Sequence, residues 1–349
     1  MQTHQKFIKR AIELAKLGAG NVSPNPMVGA VITHDNLIIG EGYHQNYGEA
    51  HAEVNAVNEV FKNFNNAPEL LKEATIYVTL EPCAHFGKTP PCANLIIKHQ
   101  IPNVVIGCLD PFDSVNGKGV EKLKNAGINV TTGVLEEKCL ALNKRFFTKI
   151  QKQRPYVILK WAQTQDGYFS PSDGSQKWIS NDLAKTLVHQ WRSEEDCVLV
   201  GKKTALADNP QLNVRLVSGR NPLRAVIDKN LELPKLHHLF DNSVKTFVFN
   251  QHKTAIEGQT YYIGIEDFDY FLPQYILYQL YLQDVQSLII EGGTKTLQAF
   301  IDANLWDEAR IITAPTYWGE GLMAPKLKGE VITTQKLDNN LLTVIKAKH

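Results

Sequence analysis

The chain has 349 residues, of which 43% are hydrophobic and 21% are charged, and its formal net charge is +1. Since a domain typically holds ~100–200 residues, this length predicts two domains. The near-neutral charge argues against a nucleic-acid partner, although it does not exclude a local basic groove. No run reaches the ~18 consecutive apolar residues of a membrane span, and charges interrupt the N-terminal apolar positions. We therefore expect a cytoplasmic protein with no membrane partner.

The first half of the chain alternates short apolar or β-branched runs with helical patterns, beginning with an amphipathic N-terminal helix. This alternation predicts a three-layer α/β domain. Strands are predicted at 28–33, 75–79, 103–107 and 128–132, and further helices at 51–62, 92–100, 117–126 and 136–150.

The second half repeats the alternation and is also predicted to be α/β. Arg154-Pro155 interrupts the chain before a new strand, YVILKWA, so the boundary is expected near 147–154. We assign residues 1–147 and 148–349 to the two domains. Strands are predicted at 195–200, 223–228, 244–249, 286–291, 309–313 and 341–346.

The five cysteines form an odd, sparse set, which argues against a disulfide framework and favours a reducing compartment. Cys108 and Cys197 lie in apolar, strand-like runs, so we expect both to be buried packing residues.

A zinc motif occupies the first half. The segment GEAHAEVNAV places His51 and Glu53 at the start of a predicted helix, and EPCAHFGKTPPC supplies Cys83 and Cys92. Imidazole and thiolate are preferred zinc ligands, and catalytic zinc sites typically keep three protein ligands plus water. Glu53 lies close enough to move a proton without binding the metal. We predict one zinc ion on His51, Cys83 and Cys92, with Glu53 as the catalytic residue of a deaminase.

Alternatives to this site remain. Nucleobase deaminases carry H-x-E followed by P-C-x-x-C, whereas eight residues separate the two cysteines here. His85 could complete a structural four-ligand site, which would leave Glu53 without a role and would suit a non-catalytic pyrimidine-phosphate sensor. A nucleic-acid deaminase with an appended domain would need a basic, aromatic-lined surface. The order HAE, then PC…PPC, favours the catalytic site.

The second half carries a weaker signal for phosphate binding. It contains no intact G-x-G-x-x-G, but the strand-like QSLIIE runs into Gly292-Gly293-Thr294 and then a helix. Glycines let the backbone approach a ligand, and a helix N-terminus attracts phosphate.

Motifs in both halves resemble the RibD family of bifunctional riboflavin-biosynthesis deaminases/reductases. The first half contributes SPNPMVGAVI, HAEVNAV and EPCAHFGKTPPC, and the second KWAQTQDG, KWIS, VGKKTALADNPQLNVR and EGGTKT. The resemblance covers nearly the whole chain. It implies a cytidine-deaminase-like three-layer α/β/α domain followed by a dihydrofolate-reductase-like α/β domain, and a homo-oligomer.

For the first half, the resemblance implies zinc-hydroxide deamination of 2,5-diamino-6-(5-phosphoribosylamino)pyrimidin-4-one, a small phosphorylated pyrimidine. The product would be 5-amino-6-(5-phosphoribosylamino)uracil. Phe112 stands where the family usually has Asn, a departure that affects the phosphate-side contacts. The implied substrate contacts are Asn25, His44, His85, Lys88 and Asp110.

For the second half, the resemblance implies that NADPH reduces the ribosyl group to a ribityl chain. Gln163 and Gln176 stand at positions where the chain departs from the usual family pattern. The implied NADPH contacts are Gln163, Trp178, Thr204, Asp208, Lys229, Gly293, Thr294, Lys295, Thr296, Leu297, Gln298 and Ala299. The implied substrate contacts are Lys160, Gln176, Arg192, Leu212, Arg215 and Glu291.

Overall fold

The computed structural model describes residues 2–84, 90–111, 116–172 and 179–348. The chain divides into two units, Met1–Gln153 and Arg154–His349. No helix within the described ranges is long and apolar enough to cross a bilayer.

The first unit is built on a five-stranded sheet with the order β2-β1-β3-β4-β5. Strand β1 is antiparallel to β2 and β3, whereas β3, β4 and β5 are parallel. The carboxyl ends of β3 and β4 therefore meet at one edge, where ligand sites of α/β sheets commonly lie. The strands are β1 (Gly29–His34), β2 (Leu37–Tyr43), β3 (Thr75–Leu80), β4 (Asn103–Cys108) and β5 (Asn129–Thr131).

Helices cover both faces of this sheet, because successive residues of a strand point to opposite sides. Ala30 and Ile32 of β1 pack in one apolar cluster, and Val31 packs in the other. The three-layer prediction is confirmed. The helices are α1 (Gln2–Ala15), followed by a 3₁₀ turn (Lys16–Gly18), then α2 (Ala52–Asn63), α3 (Ala67–Leu71), α4 (Cys92–Lys98), α5 (Lys118–Asn125), α6 (Glu136–Leu142) and α7 (Lys144–Lys152).

The prediction of one helix over 136–150 is wrong, because Asn143 separates α6 from α7. The buried Asn143 side chain accepts a hydrogen bond from the Met27 backbone N–H (2.8 Å) and donates one to the Met27 carbonyl (2.9 Å). The Asn143 backbone is non-helical, with φ −106° and ψ 23°, and these two hydrogen bonds hold the residue in place between the two helices.

The second unit contains a ten-stranded sheet with the order β11-β12-β10-β9-β8-β13-β6-β14-β17-β16, and a separate pair, β7 and β15. Its strands from β12 to β14 in this order are parallel. The strands are β6 (Tyr156–Thr164), β7 (Tyr168–Ser170), β8 (Cys197–Gly201), β9 (Leu223–Ile227), β10 (Thr246–Asn250), β11 (Ala255–Glu257), β12 (Thr260–Gly264), β13 (Ser287–Gly292), β14 (Glu308–Ala314), β15 (Leu322–Met323), β16 (Gly329–Leu337) and β17 (Asn340–Ala347).

Two apolar clusters flank this second sheet. Residues of α8 and α9 pack in one cluster, and residues of α10 and α11 in the other. Cys108 in the first unit and Cys197 in the second are both buried, as predicted. The helices are α8 (Asp182–Glu194), α9 (Lys202–Asp208), a 3₁₀ turn (His238–Phe240), α10 (Leu272–Leu282) and α11 (Thr294–Asp302).

Candidate functional site

The predicted zinc ligands lie at the ends of three elements of the first unit. His51 immediately precedes α2, Cys83 follows the end of β3, and Cys92 is the first residue of α4. Pro91 comes directly before α4, where its fixed φ suits the entry into a helix. These element ends bring the three side chains together, and we call them the His-Cys-Cys cluster.

The His-Cys-Cys cluster has the spacing that a tetrahedral zinc ion requires. Its three donor atoms lie within 4.8 Å of one another. The His51 Nδ1 atom is 3.3 Å from the Cys92 Sγ atom and 3.7 Å from the Cys83 Sγ atom. Zinc bonds of ~2.0–2.3 Å at tetrahedral angles put neighbouring ligand atoms about 3.5–3.8 Å apart. The donor set and its distances therefore fit zinc.

Charge is concentrated around the two sulfur atoms. The hydrogen bond between the cysteines lowers the pKa of Cys83 and raises that of Cys92, so Cys83 is the more readily ionised of the two. The Cys83 side chain also raises the pKa of His51. The Cys92 backbone N–H donates to the Cys83 Sγ atom at 3.3 Å, which further stabilises a thiolate.

Glu53 lies in the first turn of α2 and is only 3% exposed. Burial, and secondarily the charge of Cys83, raises its pKa to about 7. A carboxyl group with this pKa exchanges protons readily at neutral pH, as a general acid-base catalyst must.

A hydrogen-bonded chain of polar side chains leads toward the same cluster. The Asn25 Nδ2 atom lies 3.1 Å from the His44 Nε2 atom, and the His44 Nδ1 atom lies 3.1 Å from the Ala50 carbonyl. The His44 ring contacts the His51 ring edge-on, with 5.5 Å between centroids. Burial lowers the pKa of His44. A neutral ring that donates from Nδ1 leaves Nε2 to accept from Asn25.

The buried Glu81 carboxylate binds backbone N–H groups at Asp110 and at the start of α5. It accepts hydrogen bonds from four backbone N–H groups, which belong to Asp110 (3.3 Å), Gly117 (3.0 Å), Gly119 (2.8 Å) and Val120 (3.1 Å). Three of these groups lie at the start of α5, so the carboxylate also caps that helix electrostatically.

The second unit contains a cavity of about 630 Å³, which we call the second-unit cavity. The Arg192 guanidinium forms a bidentate pair with the Glu291 carboxylate, with both N–O distances 2.7 Å. Burial alone would raise the pKa of Glu291, but Arg192 and Lys160 lower it to about 2. The predicted residues that line this cavity are Lys160, Arg192, Thr204, Asp208, Leu212, Arg215 and Glu291.

The turn between β13 and α11 packs closely against Thr204. A Cβ atom added at Gly292 would lie 2.7 Å from the Thr204 Cγ2 atom, and one at Gly201 would lie 2.4 Å from the Thr296 Oγ1 atom. Gly293 has a φ of +78°, a conformation that favours glycine. The α11 N-terminus therefore lies beside a cavity-lining residue, where its backbone N–H groups can meet a phosphate.

Both units match known families. The family described as "RibD C-terminal domain" matches residues 155–345, and the family described as "Cytidine and deoxycytidylate deaminase zinc-binding region" matches residues 1–108. The riboflavin biosynthesis protein RibD of Aquifex aeolicus is 40% identical over 91% of this chain and 88% of its own length. The chain belongs to the RibD family.

Further RibD relatives extend this similarity. The RibD protein of Bacillus amyloliquefaciens is 38% identical over 95% of this chain and 89% of its own length. A Thermotoga maritima crystal structure, described as a diaminohydroxyphosphoribosylaminopyrimidine deaminase/5-amino-6-(5-phosphoribosylamino)uracil reductase, has a TM-score of 0.91 and 38% identity over 99% of both chains. Acinetobacter baumannii RibD has a TM-score of 0.90 and 33% identity, covering 100% of this chain and 99% of that one.

With both RibD domains present, the chain is a bifunctional deaminase and reductase of riboflavin biosynthesis. Its cofactors are Zn²⁺ and NADPH. A small pyrimidine substrate fits the family. The predicted cytidine-deaminase-like and dihydrofolate-reductase-like folds are confirmed.

Several residues expected from the RibD resemblance lie away from the second-unit cavity lining or use their side chains elsewhere. Gln163 accepts a hydrogen bond from the Trp161 indole at 2.8 Å, and Lys229 pairs with Asp269 at 2.6 Å. Leu297 is buried in the core, so only its backbone could meet a cofactor. His85, Lys88, Gln176 and Trp178 fall outside the described residues.

Sequence reasoning missed Glu81 and His189. Glu81 belongs to the EPC segment that contains the zinc ligand Cys83, and this position was the only sequence feature that could have indicated its role. His189 lies three residues before Arg192, on the same face of α8. Both side chains contact the backbone of loops distant in sequence, where local patterns carry no information.

Proposed function

We propose that the first unit deaminates 2,5-diamino-6-(5-phosphoribosylamino)pyrimidin-4-one, and that the second unit then reduces the resulting 5-amino-6-(5-phosphoribosylamino)uracil with NADPH. The observation that carries the first step is the buried Glu53 carboxyl group in contact with the His-Cys-Cys cluster. The two activities ascribed to the Thermotoga maritima relative support the choice of substrate.

In the first step, His51, Cys83 and Cys92 would hold the zinc ion. Zinc lowers the pKa of a bound water to about 7 and so supplies a nucleophile at neutral pH. Glu53 would carry one of the two protons of the attacking water to a ring nitrogen and the other to the departing amine, which leaves as ammonia. Its burial keeps bulk water from competing for these protons.

The remaining contacts would orient the pyrimidine and its phosphate. Asn25 and His44 are hydrogen-bonded to each other beside the cluster, which supports a role at the ring. Glu81 accepts a hydrogen bond from the Asp110 backbone N–H, which supports a role for Asp110 near the cluster. We propose His85 and Lys88 as further contacts on the family resemblance alone.

In the second step, bound NADPH would supply the hydride for reduction at the ribosyl C1′ atom. The α11 N-terminus, from Gly293 to Ala299, would bind the cofactor's phosphates. Thr204, Asp208, Lys229, Gln163 and Trp178 are the other proposed cofactor contacts. The close packing of Gly292 on Thr204 supports this placement.

The substrate would lie in the second-unit cavity. Arg215 is exposed there and would bind the phosphate. Arg192 is already engaged with Glu291, so we propose that it holds this carboxylate in place rather than binding phosphate directly. Lys160, Leu212 and Gln176 are the remaining proposed substrate contacts.

We also propose a cytoplasmic homo-oligomer whose partner is the small phosphorylated pyrimidine rather than nucleic acid or membrane. The thiolates of the His-Cys-Cys cluster must stay reduced to bind zinc, which suits a reducing compartment.

The substitution Glu53→Gln tests this division of labour. We expect deamination to fall ~10²–10⁴-fold or more, because the variant cannot transfer the proton, while reduction of the preformed uracil stays unchanged. Ammonia release and NADPH oxidation are measured separately on the same preparation. Equal loss of both activities would contradict the proposal.

A further inference from the structure

His189 lines the second-unit cavity without a role in the chemistry proposed above. It lies on α8 and is 4% exposed. Its Nδ1 atom accepts a hydrogen bond from the Arg215 backbone N–H at 3.3 Å. An imidazole nitrogen accepts only when it carries no proton, so this contact requires the ring to be neutral with its proton on Nε2.

The loop that His189 contacts is fixed at a second point by the same helix. Arg192 lies three residues further along α8, and its Nη1 atom donates to the Asn213 carbonyl at 3.2 Å. Within the loop, the Arg215 Nη1 atom donates to the Asn213 Oδ1 atom at 3.0 Å. Leu212 is buried and has a φ of +49°, which anchors the start of the loop. Two side chains of one helix face thus hold residues 212–215, together with the Asn221 side chain, whose Oδ1 atom accepts from the Val214 N–H at 2.8 Å.

We propose that His189 is a positioning residue for the phosphate end of the reductase substrate. Its neutral imidazole fixes the Arg215 backbone and thereby fixes where the Arg215 guanidinium meets the phosphate. This inference rests on the proposed phosphate contact of Arg215. Arg215 is exposed, so without this contact its part of the loop would have to lose more conformational freedom each time substrate binds.

The surrounding charges keep the ring neutral. Burial, followed by the positive charges of Arg192 on α8 and Arg215 on the loop, lowers the pKa of His189 to about 4. Glu291 on β13 and a hydrogen bond with the Asn213 backbone oppose this shift. The other titratable side chains lining the cavity are Lys160 on β6, Lys185 on α8, Asp208 on α9 and His238 in the 3₁₀ turn. At neutral pH His189 therefore remains an acceptor.

Two substitutions separate a hydrogen-bonding role from a packing role. His189→Leu fills similar space but cannot accept a hydrogen bond. His189→Asn is smaller, yet its amide oxygen can occupy the position of Nδ1. If His189 positions Arg215, the asparagine variant recovers what the leucine variant loses. If His189 only packs, the leucine variant is the better tolerated of the two.

The test is steady-state reduction of 5-amino-6-(5-phosphoribosylamino)uracil by the full chain, with competitive inhibition by ribose 5-phosphate as a binding readout. We expect His189→Leu to raise both KM and the inhibition constant about ten-fold, the effect of one lost hydrogen bond, with little change in kcat. His189→Asn should restore most of this loss. Deaminase activity of the same chain and the exposed neighbour variant Gln190→Leu are the controls, and both should be unchanged.

A double-mutant cycle identifies the route of the effect. If His189 acts through Arg215, adding His189→Leu to Arg215→Ala raises KM no further than Arg215→Ala alone. If Arg215→Ala raises KM but His189→Leu does not, the inference is overturned while the phosphate assignment stands. If Arg215→Ala itself leaves KM unchanged, both fail. Should His189→Leu not fold, His189→Phe replaces it, since it keeps a planar ring without an acceptor.

Discussion

The two sites of this chain distribute their chemistry differently. In the first unit, three metal-binding side chains and one carboxyl group converge within a few ångströms. In the second unit, the predicted residues are spread along the chain and line a cavity of about 630 Å³. Deamination needs side chains that hold a metal and move protons, whereas in the reductase the hydride comes from NADPH and the side chains only bind and orient. The comparison therefore predicts that single substitutions abolish deaminase activity at the first site but reduce reductase activity only in part at the second.

The largest effect is expected for Cys92→Ser. Removing one of three zinc ligands should abolish metal retention and deamination, because the remaining donors cannot complete the tetrahedral set. Zinc is measured by elemental analysis after dialysis, and reduction of the preformed uracil should persist. Cys108→Ala, at a buried cysteine outside the cluster, is the control and should retain zinc. Full zinc content and unchanged deamination in Cys92→Ser would contradict the assignment of Cys92 as a zinc ligand.

A smaller, graded effect is expected for Glu291→Gln. The change leaves Arg192 buried without its ionised partner, which should lower the free energy of unfolding by about 3 kcal/mol and the reductase kcat/KM by about 10²-fold. Deamination should be unaffected. Steady-state NADPH oxidation measures the change in kcat/KM, and thermal unfolding measures the change in stability.

The same variant carries a pH signature. The pKa of Glu291 is depressed from its ordinary value of 4.5 to about 2, so its ion pair adds stability above pH 4.5 that is lost as pH falls toward 2. The melting-temperature difference between wild type and Glu291→Gln should shrink across that range. Glu257 also has a pKa of about 2 but is exposed, so Glu257→Gln should change stability little at any pH. A pH-independent difference for Glu291→Gln would contradict the assignment.

The smallest effect is expected for Gly292→Ala. The added Cβ atom would lie 2.7 Å from the Thr204 Cγ2 atom, so the turn or Thr204 must shift. Overpacking of this kind costs about 1–3 kcal/mol, and we expect the KM for NADPH to rise about ten-fold with kcat preserved at saturation. Adding Thr204→Ser removes Cγ2 and should recover part of the loss. An unchanged KM for NADPH would place the cofactor elsewhere.

The zinc cluster could be predicted from sequence because its residues sit at local landmarks. His51 and Glu53 lie at the start of α2, Cys83 lies three residues after the end of β3, and Cys92 follows a proline at a helix start. Each landmark has a recognisable local pattern, and the strand and helix alternation then fixes which edge they share. The same alternation predicted both α/β units.

The supporting residues could not be predicted, because their partners are far away in sequence. Glu81 bonds to backbone groups near residue 119, and His189 to the backbone of Arg215. Strand β16 was also missed, since most of its residues are exposed and lack a buried alternating pattern. Strand β2 was missed because its exposed residues, Leu37 and Ile38, are apolar and its two buried residues are glycines. Asn143 separates two helices where its side chain bonds to the backbone of Met27, a partner that is also far away in sequence.

The most direct test of two sequential activities in one chain follows the products by mass. The wild-type chain is given 2,5-diamino-6-(5-phosphoribosylamino)pyrimidin-4-one, first without and then with NADPH. We predict ammonia release and formation of the uracil without NADPH, and a gain of two hydrogens only after NADPH is added. Ammonia release that requires NADPH, or no ammonia from zinc-loaded protein, would contradict the account.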